Sequence, residues 1–72
     1  MGVGKQIRAA RRRKVWGQAE LARQAGITPT TLWRIEAGAN EPLPVTVRKI
    51  AKALGVDPAE LVGEAAYGTG GA

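Results

Sequence analysis

The residues best equipped for recognition chemistry crowd into one short stretch, GITPTTLWRIEAG, running from Gly26 to Gly38. It sets hydroxyls, an indole and a guanidinium beside only two large aliphatic side chains of its helical part, Leu32 and Ile35. At 100° per residue those two point to one side, and Thr30, Trp33, Arg34 and Ala37 fall on the other. A helix that merely filled a core would not give its outward face to such residues. Elsewhere the chemistry is sparse. The chain has no cysteine and no histidine. That removes disulfides, thiolate zinc sites, histidine general bases and nucleophiles activated by histidine in one step. With 72 residues there is little room for a substrate cleft, so neither catalysis nor a cofactor is expected.

The charge says which kind of partner such a face would meet. Net charge is +5 and its distribution is uneven. Residues 1–35 hold eight basic residues against Glu20 alone, whereas residues 36–72 hold three basic residues against five acidic ones. A basic half joined to a mildly acidic half points to a polyanion on one side only; the plain alternative is a solvated surface that keeps the chain soluble. No apolar run approaches the ~20 residues of a membrane span, and the basic residues lie on polar helix faces without a bulky apolar neighbour. No membrane contact is expected, and the location implied is cytoplasmic.

The elements that must position this face are helices. Val3, Ile7, Ala10 and Lys14 recur at helical spacing in a first helix with a thin apolar stripe and many cations. GQAELARQAG gives a short second helix with Leu21, Ala22 and Ala25 inside and Gly26 as its left-handed stop. Thr28 then caps a third helix spanning 28–37, Pro29 takes its first position, and Gly38 closes it. ANEPLPV reads as the longest loop, stiffened by Pro42 and Pro44. TVRKIAKALG repeats the amphipathic pattern, with Val47, Ile50, Ala51 and Leu54 inward and Gly55 as stop. In DPAELV, Asp57 caps, Pro58 comes first and Glu60 completes a capping box. Nothing alternates like a strand. The expected architecture is all-α, five helices over residues 1–63, followed by a flexible glycine-rich tail over 64–72.

The order of these features carries a resemblance. Gln18, Leu21, Ala22, Gly26, Ile27, Leu32, Ile35, Glu36 and Gly38, with Pro42 and KIAKALGVDPAEL behind them, closely resemble the Cro/CI-type helix-turn-helix family. This is also called the XRE family, whose prototypes are the lambdoid phage repressors. The resemblance runs from about Val3 to Val62 and implies a lambda-repressor-like domain whose third helix enters the major groove of double-stranded DNA. It implies base contacts from Pro29, Thr30, Trp33 and Arg34, largely the face that periodicity had already turned outward. Arg34 suits O6 and N7 of guanine, a contact worth about 1–3 kcal/mol of discrimination. Phosphate contacts are implied for Gln18, Thr28 and Thr31, with Arg12, Arg13 and Lys14 as further candidates. Arg11 and Glu36 are implied to form a buried ion pair, a structural role.

The function implied is a transcriptional regulator, most simply a repressor that occupies an operator as a homodimer. The Leu43–Val45 loop and the fifth helix are the dimer surfaces the resemblance offers. The rival reading is a protein-interaction module, an antitoxin or partner-regulated adaptor, in which Trp33, Trp16 or the tail binds protein. Three departures from the family pattern bear on this. In KVWGQ, Val15 stands where φ > 0 is often wanted, so the turn is expected to differ locally, and Gly17 replaces a hydroxyl cap. Glu41 stands in a loop that often carries cations. Trp33 stands where small or polar residues are common, and would meet a thymine methyl, a sugar or a protein.

Overall fold

The computed structural model describes residues 2–63, and the expected glycine-rich tail lies outside the described residues. Five α-helices follow one another: α1 Val3–Arg13, α2 Gln18–Ala25, α3 Pro29–Glu36, α4 Pro44–Leu54 and α5 Pro58–Val62. No strand occurs among the described residues. α2 packs against α3 and most extensively against α4, while α1 lies across α3, α5 and, more lightly, α4. The core where they meet is built from Ile7, Leu21, Leu32, Val47, Ile50 and Leu61, all fully buried, with Ala10, Ala22, Ala25 and Ala51 allowing close approach.

Proline opens three of these helices, at Pro29, Pro44 and Pro58. Its fixed φ suits the first helical position and its missing N–H would have had no partner there. α4 accordingly starts at Pro44, two residues before the Thr46 start that the amphipathic pattern predicts, and only Pro42 remains to stiffen the loop. α5 is held by reciprocal caps: the Ala59 N–H donates to the Asp57 carboxylate at 3.0 Å, and the Asp57 N–H donates to Glu60 Oε2 at 3.2 Å.

The turn after α1 takes the positive φ that its position was expected to want, despite the residue that occupies it. Val15 itself adopts the left-handed conformation, φ 59°. Its N–H donates to the Arg12 carbonyl at 2.9 Å and that of Trp16 to the Arg11 carbonyl at 3.2 Å, which satisfies the last carbonyls of the helix. The demand of the turn overrides the preference of a β-branched residue. Trp16 then folds back against the core, with Lys14 Nζ 5.0 Å from its ring centroid.

α1 meets the end of α3 at backbone distance through Gly4. A Cβ on Gly4 would run into the Ile35 carbonyl oxygen and lie 2.9 Å from Glu36 Cα. One and two turns further along the same side of α1 stand Arg8 and Arg11, so this close approach brings both guanidinium groups to Glu36.

Candidate nucleic-acid interface

α3 divides its residues cleanly. Leu32, Ile35 and Glu36 are buried, whereas Pro29, Thr30, Thr31, Trp33, Arg34 and Ala37 are exposed. The helix starts where Thr28 Oγ1 accepts from the Thr31 N–H at 3.1 Å. The Thr28 hydroxyl in turn donates to Thr31 Oγ1 at 2.8 Å, which leaves the Thr31 hydroxyl proton free to donate outward. After Ala37 the chain turns through Gly38 at φ 81°, and the Ala39 N–H reaches back to the Arg34 carbonyl at 2.9 Å. Both ends are thus closed by local hydrogen bonds.

Across the exposed face the chemistry is graded. Pro29, Trp33 and Ala37, spaced four apart, form one flank. Thr30 and Arg34, also four apart, run down the middle, and Thr31 stands on the other flank beside the loop that carries Glu41. The Arg34 side chain makes no hydrogen bond or ion pair with any described residue. Trp33 is 56% exposed, and the core does not use it.

What holds this face in place is the carboxylate of Glu36, whose side chain is 1% exposed. Arg11 donates to it through a fork, Nε to Oε2 at 2.8 Å and Nη2 to Oε1 at 2.8 Å. Such a bidentate, charge-assisted pair is among the strongest and most directional contacts a side chain makes. The third arm of the fork, Arg11 Nη1, donates to the Trp16 carbonyl at 2.9 Å and so ties in the turn before α2. Gln18 Nε2 donates to Glu36 Oε1 at 3.1 Å, and Arg8 Nη2 donates to the Glu36 backbone carbonyl at 3.2 Å. Burial pushes the Glu36 carboxyl up, but the hydrogen bonds from Arg11 and Gln18 and the charges of Arg11 and Arg8 together outweigh it, and the group is held below the usual carboxylate range. The hydrogen bond to Glu36 raises Arg11 in turn. No buried side-chain polar atom lacks a partner among the described residues.

The second helix presents its start beside this face. Gly17 is its N-cap and supplies no side-chain hydrogen bond, so the amides of the first turn remain available to an anion. Gln18 stands at that end with one amide hydrogen engaged by Glu36 and the rest of its polar group uncommitted. Arg12 and Arg13 are exposed in the last turn of α1, where they also complement the helix dipole. Lys14 is shared with the Trp16 ring. Glu20, in the first turn of α2, opposes an anion there; it is held below the usual carboxylate range by its hydrogen bond from Gln24, and Arg23 also pairs with it.

Two residues of this framework, Arg8 and Gly4, lie outside the set that the sequence singles out. Arg8 lies three residues before Arg11, hence on the same helical side, and that spacing is the signal that could have found it. Gly4 lies a further turn back, and a glycine inside a helix on the side of two arginines is the trace of a close approach. The space beside the face is shallow: a depression of about 190 Å³ between α3 and the following loop, lined by Thr31, Ile35, Glu41 and Leu43 among others, falls below the roughly 300–1,000 Å³ of small-molecule sites. Among the described residues no helix is long and apolar enough to cross a membrane.

A family profile described as a helix-turn-helix domain matches residues 3–62. Among solved structures, the restriction-modification controller protein C.AhdI from Aeromonas hydrophila is similar at 30% identity and TM-score 0.80, over 82% of this chain and 89% of that one. The P22 c2 repressor, solved in complex with a synthetic operator, is similar at 27% identity and TM-score 0.81, over 88% and 96%. The hypothetical transcription factor NHTF from Neisseria matches at 33% identity and TM-score 0.80, over 83% and 69%. No curated protein sequence matches significantly.

Proposed function

The chain belongs to the helix-turn-helix domain family, of the Cro/CI type, and from that premise we propose that it is a sequence-specific regulator that reads double-stranded DNA through α3. The fold is that of DNA-binding regulators, which are not enzymes. One observation carries the proposal: Thr30, Trp33 and Arg34 are exposed and without intramolecular work on a helix whose opposite side is fixed by Leu32, Ile35 and the Glu36 hub. Arg34 offers a two-pronged donor for the edge of guanine and Thr30 a hydroxyl or methyl for its neighbour, while Pro29 gives apolar contact. The Thr31 hydroxyl, Thr28, Gln18 and the amides at the start of α2 meet phosphates on either side, and Arg12, Arg13 and Lys14 extend that contact. Residues 1–63 form the binding module and residues 64–72 lie beyond it. The P22 c2 repressor was crystallised with a synthetic operator, and binding of this kind would let this chain act as a repressor by occupying its site.

A homodimer suits this reading. Leu43 is 66% exposed, and Val45 beside it is also exposed on the first turn of α4, an apolar pair that an isolated domain leaves wet. Pairing two copies through this region and α5 presents two α3 helices to half-sites about one helical turn apart. The alternative, a protein-interaction module, takes its support from the same exposed residues and from Trp33.

Selection from random duplexes tests the proposal. Wild type enriches a defined half-site, Arg34→Ala and Thr30→Ala each relax a different position within it, and affinity falls steeply with salt. An unchanged preference in both variants would remove direct readout by α3. No enrichment from wild type would favour the protein-interaction module.

A further inference from the structure

Resting on the reading of α3 as the base-reading helix, we infer that Trp33, flanked by Pro29 and Ala37, reads the 5-methyl group of a pyrimidine in the major groove. The argument begins from exposure. The other tryptophan, Trp16, packs against the core and lies under Lys14, whereas Trp33 is 56% exposed and takes no part in the core. A large ring with more than half of its surface in water contributes little to the free domain, so its value lies in what covers it. Its neighbours at helical spacing are Pro29, Thr30 and Ala37, and Arg34 stands next to it about 100° round the helix, all exposed. Any partner that covers the indole therefore also covers the hydroxyl of Thr30 and the guanidinium of Arg34, and must satisfy them. A duplex groove does so; an apolar protein surface would strand both.

The groove offers this indole few apolar partners. Paired bases are stacked, so their faces are closed and only their edges are available. In the major groove the apolar group on those edges is the 5-methyl of thymine, or of 5-methylcytosine where cytosine is modified. Helical rise places Trp33 about 4.5 Å beyond Thr30 and about 1.5 Å from Arg34 along α3, against a base step of about 3.4 Å. The methyl group it reads therefore lies within about two base pairs of the base read by Arg34. The apolar flank of Pro29, Trp33 and Ala37 and the polar line of Thr30 and Arg34 then read neighbouring bases by different chemistry.

The test uses the full chain and the half-site obtained by random-duplex selection. Each thymine is replaced singly by uracil, which removes the methyl and leaves every hydrogen-bonding group. In parallel, each cytosine is replaced by 5-methylcytosine. One such change is expected to alter affinity about 4-fold, the worth of one buried methyl-sized group. In Trp33→Ala the same change has no effect, while the preference at the position read by Arg34 persists. A response in the uracil arm identifies thymine as the source, and a gain in the other arm identifies 5-methylcytosine. Wild type binding every substituted duplex within about 1.5-fold of the parent would overturn the inference while leaving base reading by Thr30 and Arg34 intact. A uniform loss in Trp33→Ala with methyl sensitivity unchanged would overturn it too, and would assign Trp33 to the sugar-phosphate backbone. Failure of wild type to select any half-site would instead bring down the base-reading helix itself.

Discussion

Replacing Val15 by glycine should make the protein more stable, although it deletes an aliphatic side chain. Val15 sits at φ 59° because the Arg12 and Arg11 carbonyls must be closed by the next two amides. A residue other than glycine held in the left-handed region costs about 1–3 kcal/mol, and a β-branched residue belongs in the upper part of that range. The side chain gives little in return, since Val15 is 89% exposed. Glycine adopts the conformation freely but loses more freedom on folding, which offsets about 0.4–1 kcal/mol of the gain. The net is a stabilisation of about 1–2.5 kcal/mol, or a rise in Tm of roughly 4–20 °C for a domain of this size. Urea unfolding followed by circular dichroism, repeated as a thermal melt, measures it. Val15→Asn should gain part of the effect because asparagine tolerates this region, and Val15→Ala should gain less than glycine because it keeps a Cβ. A Val15→Gly protein no more stable than wild type would refute the strain argument. So would an alanine variant as stable as the glycine one, which would trace the gain to the exposed methyls rather than to φ.

The other expectations probe different joints of the same framework. Gly4→Ala should destabilise by about 1–3 kcal/mol in urea despite alanine's better helix propensity, because the added methyl meets the Ile35 carbonyl and the Glu36 Cα backbone; a neutral outcome would mean that α1 and α3 separate easily. Glu36 is held below its ordinary range when folded, so its contribution is complete above the unfolded value of about 4.3 and drains away as pH falls through the folded value. Chemical-denaturation midpoints should therefore drop as the solution is acidified below about pH 4.3, and Glu36→Gln should flatten that slope while losing about 3–5 kcal/mol at neutral pH, where Arg11 is left with an unpaired buried charge; a wild-type midpoint that is level down to about pH 3 would contradict this. Glu41→Lys should tighten DNA binding and steepen the salt slope by about one unit, and an unchanged slope would place that loop away from phosphate.

Much of this was legible in the residues because local signals agreed with one another. Thr28 before Pro29, and Asp57 before Pro58 with Glu60 two further on, announce helix starts by mechanisms that need no tertiary context, and both helices begin where those signals put them. The outward set on α3 followed from period alone. Where the reading fell short, the missing information was non-local. Pro44 looks like a loop residue until Leu43 is seen to be extended ahead of it, and only then does the helix start two residues early. Gly4 is unremarkable along the chain, since its meaning is an approach to Glu36 thirty-two positions later. Val15 shows a conflict between residue and turn that the sequence exposes but cannot resolve, because the outcome depends on whether the surrounding hydrogen bonds outweigh the local preference.

The Glu36 hub explains how so small a domain can hold the exposed face of α3 steady. Apolar packing against Leu32 and Ile35 fixes how deep α3 sits, but contacts of that kind are non-directional and tolerate rotation about the helix axis and sliding along it. A carboxylate gripped by a fork has neither freedom. Arg11 fixes α3 relative to α1, the third arm of the same guanidinium on the Trp16 carbonyl fixes the entry to α2, and Gln18 fixes the start of α2 to the same oxygen atoms. The two groups that the proposed reading of DNA requires in register, the exposed line of Thr30 and Arg34 and the free amides of α2, are thereby referred to one point. Burying a charge there is a poor route to stability compared with a hydrocarbon of the same volume. Its presence makes sense as a way of fixing orientation, the property on which base reading depends.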